Sequence, residues 1–330
     1  MRERILEELY KHRDDFISGS QLASQLGISR VAVWKHIDAL KDEGLEIEGI
    51  SGKGYHLINA YNLVLPDEFS KQINTRFAGK VVRYYPQIDS TNEMAKRIYK
   101  QEKPPQGTVV LARKQTGGKG RRGRQWQSPP GGLWFSIILN PELPLPQIAI
   151  LSLVCAVAVC HALKAFSPSP PMIKWPNDIF INGKKVAGIL LEVSGELDHT
   201  DYVIAGIGIN VNIETRLLPE AIRDTTTSLL EENDHCLDHS RVLALVLSNL
   251  ERYYLQFTEE GFQNILMEFK EECLHLGKAV KISRGNRDIE GVNIDIDESG
   301  NLIIDTGAGI EKITTGDVVL IEKQEDQGCI

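Results

Sequence analysis

Three stretches with different hydrophobic periods predict an α+β protein. Apolar residues recur at helical spacing up to about residue 62. Strand-like and helical runs alternate from 63 to 273, and short strands alone fill 274–330. A length of 330 residues, with 42% hydrophobic and 25% charged, allows two or three domains with full cores.

In residues 1–62, Ile5, Leu6, Leu9 and Tyr10 form a first helical stripe. Ser20 is a candidate cap for a second helix carrying Leu22, Ala23 and Leu26, which Gly27 ends. Ser29 caps a third, whose Val33, Trp34, Ile37 and Leu40 are the expected buried face. Two helices joined by a short turn containing Gly are the helix-turn-helix pattern. Glu46–Ile50 and Tyr55–Ile58, around Ser51-Gly52-Lys53-Gly54, add a hairpin wing. Ser29, Arg30, Ala32, Lys35 and His36 would then face a DNA major groove, with Lys53 on the wing. Residues 1–60 carry 8 Lys/Arg against 10 Asp/Glu, and Asp38 and Asp42 lie on or beside the same helix. Phosphate contact dominates DNA affinity, so this balance keeps a protein-contact role open and asks for a dimer to gather contacts.

The middle region opens with a strand at Val81–Tyr85 and a helix begun by Ser90. Strands at Thr108–Ala112 and Leu133–Ile138 flank a basic loop, and Ile148–Leu163 reads as a buried helix containing Cys155 and Cys160. Past the Pro-rich link 167–171, Met172–Trp175 and Ile179–Ile181 are strands either side of a Pro176-Asn177-Asp178 turn. Asn182-Gly183 is a hairpin turn returning as Lys184–Val193, followed by a strand over Asp201–Val211. Helices near Ser240–Phe257 and Gly261–Cys273 close the region. The last five strands, Ala279–Ser283, Asp288–Asp295, Asn301–Asp305, Glu311–Thr314 and Val318–Glu322, with Gly or Asn turns, suggest a small barrel and then a frayed tail.

A net charge of −8 argues against general nucleic-acid coating. No signal-peptide pattern opens the chain, and the run Ile148–Leu163 is shorter than the roughly 20 residues of a membrane span. Five cysteines without a C-x-x-C spacing make neither a disulfide framework nor a zinc site. A cytoplasmic location follows, with Cys329 a free thiol and no membrane partner.

The basic loop is Gly117-Gly118-Lys119-Gly120-Arg121-Arg122-Gly123-Arg124, followed by Trp126. From Lys103 to Pro141 there is no Asp or Glu. Glycines let backbone N–H groups close on an anion, and four cations in one short loop need an anionic partner. A disordered surface loop or a nucleic-acid patch is the alternative reading, but strands at both ends favour a lid that orders on a phosphate ligand. No G-x-x-x-x-G-K-[ST], H-E-x-x-H or Ser/His/Asp arrangement occurs, so a nucleotide here is not held by a Walker loop.

Asp89-Ser90-Thr91-Asn92, the Gln115–Trp126 loop, Lys174-Trp175-Pro176-Asn177-Asp178, Lys185–Glu192 and Gly206-Ile207-Gly208-Ile209-Asn210 occur in that order. Together with the helix-turn-helix, they make the chain closely resemble the bacterial biotin–protein ligases, and among them the two-function members that also repress the biotin operon. The resemblance spans a winged helix (1–62), a catalytic domain of the class II aminoacyl-tRNA synthetase/biotin ligase type (63–273) and an SH3-like barrel (274–330). It implies a two-step reaction. Biotin and ATP give biotinyl-5′-AMP and pyrophosphate; a lysine of the biotin carboxyl carrier protein of acetyl-CoA carboxylase then takes the biotin. Biotinyl-5′-AMP would also promote a homodimer that binds operator DNA.

The resemblance implies roles residue by residue. Lys185 sits where carboxylate and α-phosphate meet, aided by Arg121 and Asp178. Ser90, Thr91, Asn92 and Gln115 contact the ureido ring, and Lys119, Gly120, Gly188, Gly206 and Gly208 complete the biotin site. Arg121, Arg122, Arg124, Trp126, Asn177 and Asn210 bind ATP or the adenylate, and Asp178 is the candidate Mg²⁺ ligand. Ser90-x-x-Glu93 also reads as a capping box, and Trp126 as a loop anchor. Lys119 stands where the family loop usually has Arg, keeping the charge but losing the planar fork. Three other readings stay open: a pure biotin-sensing transcription factor, a lipoate ligase, and a ligase whose N-terminal domain is only structural.

Overall fold

The computed structural model describes residues 1–330 except 43, 44, 59, 197, 198, 285, 286 and 322–330. The expected tail, Glu322 and Cys329 lie outside the described residues. At the N-terminus α1 (Arg2–Lys11), α2 (Gly19–Leu26) and α3 (Arg30–Asp42) precede a hairpin of β1 (Ile47–Ile50) and β2 (Gly54–Leu57). Their core, built on Ile5, Leu9, Leu22, Val33, Ile37 and Leu57, is a hydrophobic cluster of its own.

Two expectations about this unit are corrected. The cap of α2 is Ser18, not Ser20: Gln21 N–H donates to Ser18 Oγ at 3.1 Å, and Ser18 N–H donates to Gln21 Oε1 at 3.0 Å. That reciprocal box starts the helix before the apolar pattern does. Trp34 is 55% exposed rather than buried. Val33, Ile37 and Leu40 already complete one stripe at i, i+4 and i+7, and Trp34 sits 100° further round the helix. Ser29 does cap α3, accepting Ala32 N–H at 3.1 Å. Arg30 and Lys35 stand in solvent as expected, whereas Ala32 and His36 are half-buried.

The central sheet has seven strands. In chain order they are β3 (Val82–Tyr85), β4 (Val109–Ala112), β5 (Leu133–Leu139), β6 (Met172–Lys174), β7 (Asp178–Ile181), β8 (Lys184–Glu196) and β9 (His199–Ile209). They lie side by side as β3-β4-β5-β9-β8-β7-β6, with β3–β4 parallel and the other pairs antiparallel. Every residue of β5 is buried because both faces of the sheet are covered. Val109, Leu111, Phe135 and Ile137 face α6 (Leu145–Leu163) and α9 (His239–Glu260), while Val110, Ile138 and Ile204 face α5 (Thr91–Glu102). The stretch Gln147–Phe166, 20 residues of mean hydropathy 2.2, is longer than the sequence suggested and apolar enough to cross a membrane. Its side chains instead form the centre of the sheet's core.

Short helices α4 (Pro66–Ser70), α7 (Glu220–Arg223) and α8 (Leu229–Asn233) carry too few periodic residues to be read from sequence. After α10 (Gln263–Glu271), five strands form one antiparallel sheet: β10 (Ala279–Arg284), β11 (Arg287–Ile296), β12 (Leu302–Asp305), β13 (Ile310–Ile313) and β14 (Asp317–Leu320), ordered β13-β12-β11-β10-β14. Its inward residues, among them Val280, Ile282, Leu302 and Val318, belong to the same cluster as the central core. Trp175 pins the two together, donating its backbone N–H to His275 Nε2 at 3.0 Å and its indole N–H to the Gly300 carbonyl at 2.8 Å.

Candidate active site

A bulge in β8 sets the chemistry. Val186 and Ala187 are consecutive in the strand, yet both are fully buried in the central core. Regular alternation forbids that; the register shift opposite Ile179/Phe180 permits it and turns Lys185 onto the opposite, open face with Gly188. The segment Thr225–Thr227 fixes the backbone there: Lys185 N–H donates to Thr225 O at 2.9 Å, and Thr227 N–H to Lys185 O at 3.0 Å. Lys185 Nζ then lies 2.7 Å from Asp178 Oδ2 and 5.0 Å from the centre of the Trp126 ring.

The floor is made by paired glycines. Gly188 lies opposite Gly208, and a Cβ on Gly208 would come 2.5 Å from the Trp126 indole nitrogen. A Cβ on Gly206 would overlap Asn92 Oδ1. Absent side chains here let Trp126 and Asn92 lie against the sheet. Among the described residues, the buried Trp126 indole N–H finds no acceptor.

At one end a fixed polar network stands ready. Gln115 Oε1 accepts from Thr91 N–H at 2.7 Å and Thr91 Oγ1 at 3.1 Å, while Gln115 Nε2 donates to Ser128 Oγ at 2.8 Å. Ser136 Oγ lies 2.7 Å from Thr91 Oγ1 and 2.6 Å from Asn92 Oδ1, and Asn92 Nδ2 donates to Glu192 at 2.7 Å. The capping box expected at Ser90 does not form: Ser90 is the N-cap of α5, but its hydroxyl makes no cap bond. Asp89 accepts the Ser90 N–H at 2.8 Å instead, leaving that hydroxyl on the cleft wall.

The basic loop closes the other side, and its cations rest on protein acceptors. Arg121 Nη1 donates to Asn177 Oδ1 at 2.9 Å, and burial lowers the guanidinium pKa against the pull of Asp178 and Asp317. Lys119 Nζ meets Glu93 at 2.6 Å, holding that carboxyl below its usual range together with Lys96. Arg124 reaches Asp317 at 2.5 Å and Arg122 reaches the same carboxylate at 3.4 Å.

These groups enclose a cleft of about 580 Å³. Of the described residues lining it, five are Lys or Arg and two are Asp, so its net charge suits an anion. All but one of the expected biotin and ATP residues line it, including Gly120 and Asn210. The exception is Arg122, which takes a left-handed φ of 57° and points to the C-terminal sheet. Asn210 Nδ2 also holds the Thr227 carbonyl at 3.0 Å.

Sequence reasoning missed Lys174, Leu218, Ile222 and Asp317 on the lining. Lys174 lay inside a quoted motif and could have been found; its pKa is lowered by burial, against the attraction of Asp178. Leu218 and Ile222 share a helical spacing but lie in a segment too short to signal a site, and Asp317 is remote in the chain. Among the described residues, no group of three or more His, Cys, Asp or Glu is placed to hold a metal. Mg²⁺ that arrives on a nucleotide needs only one or two carboxylates beside phosphate and water; the carboxylates on the described lining are Asp178, paired here with Lys185, and Asp317.

A model of the biotin/lipoate A/B protein ligase family matches residues 84–210, which contain most of this cleft. A model of an HTH domain matches residues 2–56, and one of the biotin protein ligase C-terminal domain matches 275–321. The bifunctional ligase/repressor BirA of Bacillus spizizenii is 37% identical over 97% of this chain and 98% of its own length. The chain belongs to the bifunctional biotin ligase/repressor family. The Escherichia coli K12 member is 32% identical over 93% of both chains. The solved biotin protein ligase from Aquifex aeolicus, in complex with biotin and ATP, superposes with a TM-score of 0.64 at 36% identity, covering 73% of this chain and 99% of that one. In this biotin ligase fold the central mixed sheet follows an N-terminal HTH domain and precedes a β-rich C-terminal one, as the sequence led one to expect.

Proposed function

We propose that this chain, a biotin ligase and repressor by family, joins biotin to ATP in the cleft around Lys185, with domains at 1–62, 63–273 and 274–330. One biotin carboxylate oxygen attacks the α-phosphorus of ATP. The bond to pyrophosphate breaks, and biotinyl-5′-AMP remains. The neutral amine of an acceptor lysine, on the biotin carboxyl carrier protein of acetyl-CoA carboxylase, then attacks the acyl carbon. AMP leaves, and the new amide nitrogen gives up its proton.

The observation that carries this reading is the convergence of Lys185, Arg121 and Arg124 on one cleft beside a neutral, glycine-floored slot. Two anions must be brought together, so fixed cations lower the barrier by pre-placed attraction. Lys185 holds the biotin carboxylate against the α-phosphate, giving up Asp178 as it does so. Arg121, Arg122 and Arg124 exchange Asn177 and Asp317 for phosphate oxygens. Ser90, Thr91, Asn92 and Gln115 orient the ureido ring, Trp126 packs against the adenylate, and the closed loop keeps out the water that would hydrolyse it. Asp178 would hold Mg²⁺ brought in with the nucleotide, and the ion would supply neutralisation of the phosphate charge.

Regulation uses the same intermediate. Biotinyl-5′-AMP favours a homodimer whose paired winged helices bind operator DNA, acting in the cytoplasm. Free thiols at Cys155, Cys160, Cys236 and Cys273 agree with a reducing compartment. The test is to incubate the protein with Mg²⁺, biotin and radiolabelled ATP. Adenylate and pyrophosphate are expected, then label on a carrier domain, and a biotin- and ATP-dependent shift of operator DNA. Folded protein that leaves both substrates untouched refutes the reading.

A further inference from the structure

The recognition helix α3 carries two large apolar side chains in open solvent. Val31 is 64% exposed and Trp34 55%, while Val33, Ile37 and Leu40 on the other side are at 2% or less. Of the four tryptophans, Trp134 and Trp175 are buried and Trp126 half-buried, so Trp34 is the one left in water. Val31 and Trp34 are three residues apart, hence neighbours on one helix face. Exposed Arg30 and Lys35 border them, and the Ser29 cap fixes the first turn that bears them. In a helix-turn-helix the N-terminal residues of this helix meet base edges.

Charge makes the point sharper. With 8 Lys/Arg against 10 Asp/Glu in residues 1–60, phosphate attraction alone is a poor source of affinity or sequence choice. An apolar side chain in the major groove has one apolar feature to meet, the thymine C5-methyl group. We propose that Val31 and Trp34 read thymine methyls, so that each half-site carries two thymines in contact with this helix. Side chains three apart are about 5–6 Å from each other, and base pairs rise about 3.4 Å, so the two lie on adjacent or next-adjacent base pairs. The inference rests on the operator-binding reading and adds the base identity to it.

The experiment uses the full chain with biotin, ATP and Mg²⁺, and a duplex that the protein itself selects from a random-sequence pool. That duplex is synthesised with dT or with dU in its place, which removes the methyls and leaves the pairing. Fluorescence anisotropy at one fixed salt concentration reads the affinity. Wild type should bind the dU duplex on the order of 10²-fold more weakly, since each methyl buried contributes roughly four-fold and a dimer on two half-sites buries four. Val31→Ala and Trp34→Ala should weaken binding to dT and shrink the dT/dU ratio, whereas Lys53→Ala should weaken both duplexes alike. Both α3 side chains are exposed, so the variants' thermal melts should match wild type. Equal binding of dT and dU by wild type, or an unchanged ratio in Trp34→Ala, overturns the proposal. So does a Trp34→Ala variant whose only change is a lower dimer mass in sedimentation, which makes the residue an interface between copies. Failure to retain any duplex overturns the operator reading itself, and this inference with it.

Discussion

The N-terminal and C-terminal domains meet the central sheet in opposite ways. The winged helix keeps its own hydrophobic cluster, and several of its contacts across the boundary are polar: Tyr10 and Arg13 to Asp238 at 3.4 and 3.5 Å, Asn212 to Asn62 at 2.7 Å. The C-terminal sheet shares one continuous core with the central domain, adds the Trp175–His275 and Trp175–Gly300 bonds, and puts Asp317 on the cleft wall. Interfaces of the first kind let domains shift; a shared apolar core does not. The C-terminal domain is therefore part of the catalytic body, and the N-terminal one is carried by it.

The largest test of that contrast is a chain ending at residue 273. It loses a whole side of the core and the Asp317 carboxylate, so adenylate formation should be undetectable. Lys185→Ala in the full chain should lose on the order of 10²–10³-fold with an intact melt. An active, stable truncation would break the comparison.

Acid should find the larger body next. Burial pushes the imidazoles of His239 and His275 down to about 4, so the unfolded chain takes up protons near pH 6.5 and the folded one does not until about pH 4. Stability from these groups is complete above about pH 6.5 and lost as pH falls toward 4, on the order of 3 kcal/mol each. Melting curves of His275→Asn across that range should show a shallower fall than wild type; a parallel fall would mean His275 contributes nothing to it.

At the cleft, Gly206→Ala forces a Cβ against Asn92. Overpacking of this kind costs about 1–3 kcal/mol, so KM for biotin should rise roughly ten-fold while kcat changes less. Unaltered KM would say that Asn92 can yield.

Much of this was legible beforehand because it is local. Hairpin chemistry at Asn182-Gly183, the Ser29 cap and the acid-free basic loop each name their own structure. What escaped depends on distance or exclusion. Asp317 becomes a cleft residue only through the fold, 132 positions after Lys185, and at Ser90 the backbone N–H that Glu93 would accept in a capping box goes to Asp89 instead. Trp34 was misplaced because a helix buries one stripe and three aliphatic side chains had already filled it.

Smaller effects sharpen the comparison. Lys119→Arg restores the planar fork in place of a single amine on Glu93, and adenylate release should slow a few-fold; identical rates would remove any role for that difference. Removing residues 1–62 should change the rate of biotin transfer least of all, within about two-fold, while abolishing operator binding.

The β8 bulge also restricts how this chain can change over evolutionary time. Adding or deleting one residue within β8 between Lys185 and Gly188 would break the offset that lets Val186 and Ala187 both face the core while Lys185 faces the cleft. Length variation inside that bulge is costly to descendants of this chain, whereas the exposed Asn182-Gly183 turn can lengthen without moving the paired register.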